Sequence, residues 1–166
     1  MADNPIDVYL NDHLAGAMLG SDLAEQIQAQ SHGTALGELM ESLAPQIEQD
    51  RQTLIELMRQ LESSKNPVKQ ATSWIAEKAS RAKFSGMTSG EPELGTFMAL
   101  ETLALGARGK ACLWTALKQV ADQHPPIASM NLDELIDRAH TQHAALERER
   151  LAAATRALAN EVRATA

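Results

Sequence analysis

The sequence predicts an all-α fold, a four-helix bundle carrying one short extra helix, and three observations point to it. Aromatic residues make up only 3 % of a chain that is 44 % hydrophobic. The core must therefore be filled by Leu, Ile, Met and Ala, which pack helix against helix at close range. Apolar residues recur at helical spacing along four long stretches, and no stretch alternates as a strand does. The breaks between them carry turn chemistry: Gly33, the run "SGMTSGEPE" and the run "HPPIASMN". A chain of 166 residues forms one domain, 1–166, large enough for a real core.

The first helix is predicted over about 5–31, with Asn4 as its cap and Pro5 at the first helical position, where a missing N–H needs no partner. The second covers 34–63 and carries Leu36, Leu39, Leu43, Ile47, Leu54, Leu57 and Leu61 on one stripe. Pro45 lies inside it and removes one backbone bond, which predicts a kink or a split. A short helix over 67–84 follows, capped by Asn66 and opened by Pro67. The third long helix runs over 92–124. The last covers 132–163, with Asn131 and Glu134 spaced as a capping box.

Polar residues that interrupt the stripes are the candidate functional residues. Asp50 keeps step with Leu43, Ile47 and Leu54. His13 shares a face with Ile6, Tyr9, Ala17, Gly20 and Ala24. On the third long helix, Glu101 and Arg108 fall among Leu94, Phe97, Leu105 and Cys112, and this is read as the inner face. Leu103, Trp114 and Leu117 form a second apolar face, to be covered by the short helix or by another subunit. On the last helix Leu132, Ala139, Leu146, Ala153 and Ala157 define the stripe. His143 and Arg150 fall within it, His140 and Glu147 lie near one edge, and Gln142 flanks the other.

In helix number, helix length and the long connection between the second and third long helices, the chain resembles the ferritin-like superfamily. Each helix would extend about 40–50 Å, and one long crossover joining two helix hairpins is the ferritin-like arrangement. That resemblance implies a di-metal centre built from a Glu on each of two helices and Glu-x-x-His on each of the other two. Glu101 matches. The first helix offers His13, or Asp12 beside it. The second offers Ile47-x-x-Asp50, or Glu48-x-x-Arg51 in the next register. The last offers His140-x-x-His143.

Two readings follow. In one, a buried polar layer of Asp50 and Glu101 with Arg108 and Arg150, assisted by His13, His143 and Tyr9, replaces the metal centre in a non-catalytic interaction or assembly protein. Buried charges normally pair in this way. In the other, His13, Asp50, Glu101 and His143 hold iron, manganese or zinc in a metal-binding protein or oxidoreductase. A third idea is a small-molecule pocket near Gly16, Met18 and Gly20. Whether the protein is an enzyme is left open.

The remaining features are weaker guides. The segment from Lys65 to Lys83 is locally basic, but 15 basic against 22 acidic residues leave the chain at −7, which disfavours nucleic acid and anionic lipid as partners. No apolar run is long enough to cross a bilayer. One cysteine, Cys112, and a start without a signal peptide's basic and apolar regions place the expected location in the cytoplasm. The run "GARGK" lacks phosphate-loop spacing. The doubly apolar third helix predicts a homodimer.

Overall fold

A computed structural model describes residues 4–62 and 91–159. Helix α1 spans Pro5–Gln30, and the side chain of Asn4 accepts the backbone N–H of Ile6 at 3.4 Å. Helix α2 spans Ala35–Gln60 and is capped by Thr34, whose hydroxyl accepts from the N–H of Gly37 at 3.1 Å. The turn between them needs glycine twice. Gly33 has φ 76°, a conformation that side chains disfavour. A Cβ on Gly37 would lie 2.2 Å from the Ser31 carbonyl oxygen, so only hydrogen fits there. Pro45 does not split α2, which runs through it unbroken.

Helix α3 spans Pro92–Gln119. A 3₁₀ turn, Ala121–Gln123, and a single helical turn, α4, Pro125–Ala128, follow before α5, Leu132–Ala159. The third long helix thus ends earlier than the sequence predicts, and its last predicted turn is the 3₁₀ segment. The "HPPIASMN" run does more than break the helix: Pro125 and Pro126 open α4, and Ile127 is fully buried against the core. At the start of α5 the N–H of Glu134 donates to Asn131 Oδ1 at 3.3 Å, and Asn131 Nδ2 donates to Glu134 Oε2 at 2.9 Å. The predicted capping pair is therefore present, closed through the asparagine amide. The short helix expected over 67–84 lies outside the described residues, as does Trp74.

The described residues are helical and contain no strand. Helices pair as α1 with α2, α3 with α5, α1 with α3, and α2 with α5. Two apolar clusters fix their directions. One joins Leu10 and Leu14 of α1, Leu54 to Met58 of α2, Leu113 to Leu117 of α3, Ile127, and Leu132 and Leu135 of α5. The other joins Leu23 and Ile27, Met40 to Ala44, Ala99 to Ala107, and Leu146 and Ala153. Each cluster gathers the same end of all four long helices. Hence α1 and α5 run one way, and α2 and α3 the other. The chain leaves α2 at the first end and re-enters α3 at the opposite one.

Two predicted faces are corrected. On α3, Leu105 is 65 % exposed, and Arg108 and Cys112 also face solvent. The buried face is Leu100, Leu103, Ala107, Ala111, Trp114 and Leu117. Alanines mark it, and alanine is a weak hydrophobic signal although it permits the closest helix approach. Leu103 and Trp114, which suggested a dimer contact, are buried within the chain. Among the described residues, the large apolar side chains left outside are Val8, Met98, Leu105, Leu151 and Leu158. On α5 the predicted stripe of Leu132, Ala139, Leu146 and Ala153 is buried, but its buried polar residue is Gln142, and His143 is half-buried. Among the described residues no helix is long and apolar enough to cross a membrane.

Candidate functional site

Between the two apolar clusters lies a layer of charge. Three long helices turn inward residues spaced alternately by three and four, with one seven-residue step at the end of α5, the seam of closely packed helices. On α2 these are Met40, Leu43, Ile47, Asp50, Leu54 and Leu57. On α3 they are Leu100, Leu103, Ala107, Lys110, Trp114 and Leu117. On α5 they are Leu132, Leu135, Ala139, Gln142, Leu146 and Ala153. Each seam contains one polar residue, and the three meet at mid-height.

Asp50 is the hub. Its side chain is 3 % exposed. Lys110 Nζ donates to Asp50 Oδ2 and, at 2.5 Å, to Gln142 Oε1. Gln142 Nε2 donates to Asp50 Oδ2 at 3.1 Å and to Gln46 Oε1 at 3.4 Å. Arg138, one turn before Gln142, brings Nη2 to 2.5 Å from Asp50 Oδ1. Each carboxylate oxygen thus has a cation beside it, Lys110 at Oδ2 as a hydrogen-bonded pair and Arg138 at Oδ1 as an ion pair without hydrogen-bond geometry, while the buried glutamine accepts from Lys110 and donates to Oδ2. Burial pushes the Lys110 ammonium down from its ordinary range and Arg138 adds to that, while Asp50 opposes them. Such a layer is costly to break, because removing one partner strands the others away from water.

A cavity of about 230 Å³ opens beside this layer between α1, α2 and α3. Its breadth comes from glycines: a Cβ added at Gly16, Gly20, Gly106 or Gly109 would meet nothing within 4 Å. Leu54, Leu103 and Leu113 supply apolar wall, and Asp12, Asp50, Arg51 and Lys110 its charged part. Trp114 also lines it, is fully buried, and its indole N–H has no hydrogen-bond partner among the described residues. His13 sits on the wall with its ring against Tyr9, centroids 4.6 Å apart in edge-to-face contact. Burial lowers the His13 pKa, and Asp12 opposes the shift.

Two half-exposed networks flank the layer. Glu48 accepts a fork from Arg51, at 2.7 and 2.5 Å, and the Ser21 hydroxyl at 2.6 Å. Those bonds, the Arg51 pair first, hold its carboxyl at about 2. Arg150 forks onto Glu147 at 2.7 Å through both bonds and reaches Glu101 at 3.0 Å. Its guanidinium carbon lies 6.0 Å from the Phe97 ring centroid. Glu147 holds Arg150 above its ordinary pKa, and the same bonds lower that of Glu147.

The residues proposed as metal ligands are distributed among these features. His13 and Asp50 both line the cavity. Glu101 belongs to the Arg150 network, and His143 is half-buried near Glu147. Among the described residues, no three or more His, Cys, Asp or Glu side chains are grouped so as to hold a metal ion. Of the pairs expected in a polar layer, Arg150 with Glu101 is present. Asp50 is paired, but with Lys110 and Arg138 in place of Arg108, which is exposed.

The fold and site thus define an all-α protein with a charged layer and a cavity at mid-height. The chain matches no family model, no curated protein and no solved structure.

Proposed function

We propose that the protein is a non-catalytic bundle of the ferritin-like type that acts by binding, with a charged layer standing where a metal centre would be held. Support for the ferritin-like reading is topological. The two hairpins α1–α2 and α3–α5 are joined by a connection that passes from one end to the other, the single long crossover of that class.

The observation that carries the non-catalytic reading is the state of Asp50. It is the one buried carboxylate among the described residues, and cations hold both of its oxygens. A cation entering here would have to displace an ammonium and a guanidinium, with no cluster of carboxylates and imidazoles among the described residues to receive it. Ferrous iron and zinc are each titrated calorimetrically into protein stripped with a chelator. The expected result is no saturable site of micromolar affinity or tighter. A site of that affinity lost in both Asp50→Asn and His13→Ala would overturn the proposal.

A further inference from the structure

The geometry points to a ligand class for the mid-height cavity: a compact monocarboxylate, its head on Lys110 and Trp114 and its apolar body among the glycines. This rests on the reading of the layer as a binding rather than a metal site. Three independent observations lead to it.

The first is unspent hydrogen-bonding capacity. An ammonium has three donors, and two of those on Lys110 go to Asp50 and Gln142. Trp114 lies one helical turn further on the same face of α3, and its buried indole N–H has no acceptor among the described residues. Both residues line the cavity. Two donors from one face of α3 that both line the cavity suit an oxygen-bearing ligand, and burial makes leaving such donors unpaired expensive.

The second is charge. Lys110 and Arg138 face one carboxylate, Asp50, and two neutral amides, Gln46 and Gln142. The layer keeps one positive charge unbalanced. His13 cannot compensate it, since an imidazole is neutral or positive and never negative. Arg51 on the wall is spent on Glu48, and the other lining carboxylate, Asp12, is exposed, where water screens its charge from the buried layer. One negative charge on the ligand would balance the layer; a dianion would overshoot.

The third is size and lining. A dry cavity of about 150 Å³ accepts benzene. By that standard 230 Å³ admits a body of roughly nine or ten non-hydrogen atoms. Leucines and bare glycine backbone around it favour a ligand that is apolar away from its head.

Benzoate fits these requirements and serves as the probe, with benzyl alcohol as its neutral counterpart. Binding is read by calorimetry and by Trp114 fluorescence, with Trp74→Phe as the background so that only one indole reports. The expected result is saturable benzoate binding at least about tenfold tighter than benzyl alcohol, a difference of about 1.4 kcal/mol. Lys110→Met should lower benzoate affinity by at least the same factor. Gly20→Leu, which fills the cavity without touching the charged layer, should abolish binding while the helical circular dichroism is retained; it keeps the test valid if Lys110→Met fails to fold. Equal binding of acid and alcohol, benzoate binding unaffected by Gly20→Leu, or no binding at millimolar benzoate would each overturn the inference. Metal content measured on the same samples separates the failures. Metal-free protein that ignores benzoate refutes the ligand class alone, whereas stoichiometric metal refutes the reading beneath it.

Discussion

Replacing Asp50 by asparagine changes almost nothing in shape, yet it removes the one carboxylate that the described residues place in a layer holding two cations. The Asp50 side chain is 3 % exposed, that of Lys110 15 % and that of Arg138 21 %. Breaking a fully buried ion pair by removing one partner costs about 3–5 kcal/mol. Here both cations keep some water, so the lower end applies, and we expect a loss of about 3 kcal/mol. For a chain of this size that corresponds to a melting temperature lower by about 6–12 °C. Urea denaturation followed by circular dichroism at neutral pH measures it. Adding Lys110→Met to Asp50→Asn removes one stranded cation, and the double variant should recover at least about 1 kcal/mol. An Asp50→Asn protein within about 0.5 kcal/mol of the parent, or a double variant no more stable than the single, would show that the three groups are not energetically coupled.

Further expectations follow from the same contacts. Gly16→Ala and Gly109→Ala add a methyl into open space within a helix and should each stabilise the protein by about 0.5–1 kcal/mol in urea melts; a loss at both would mean that the helices close over the cavity. Gly37→Ala drives a Cβ into the Ser31 carbonyl and should destabilise by about 1–3 kcal/mol, measured the same way. Acid should unfold the protein partly through Glu48. Its folded pKa, about 2, lies below its ordinary value of 4.5, so the stabilisation is complete above that ordinary value and lost as pH falls towards the folded one. His13, depressed from 6.5, adds a loss that begins as pH drops below that value. Glu48→Gln should flatten the acid limb of a stability–pH profile between pH 4.5 and 2, and an unchanged limb would remove Glu48 from the account.

The sequence made the long helices legible because capping and turn residues mark their ends locally. Asn4, Gly33 and Asn131 act within a few residues of themselves, so no tertiary knowledge is needed to read them. Asp50 was legible for a related reason: a carboxylate in a leucine stripe is conspicuous. Its partners were not. Lys110 and Gln142 occupy the same kind of seam as Asp50, but each follows an alanine of its seam, Ala107 or Ala139, whose small side chain marks the buried face less plainly than leucine does. Spacing by sevens on α5 drew attention to His143, one residue from the glutamine that is buried. Alternating steps of three and four would have found both residues, Lys110 three after Ala107 and Gln142 three after Ala139. The cavity was foreshadowed by Gly16 and Gly20, but its other wall required knowing that Gly106 and Gly109 face them across the helix pair.

The central claim is that cations of the chain itself, not a metal, neutralise Asp50. X-ray diffraction from crystals of tag-free protein, recorded across the iron, manganese and zinc absorption edges, tests it most directly. We predict Lys110 and Arg138 on the two Asp50 oxygens, with no anomalous peak at mid-height. An anomalous peak within about 2.0–2.3 Å of Asp50 or His13, with Lys110 swung away, would contradict the account.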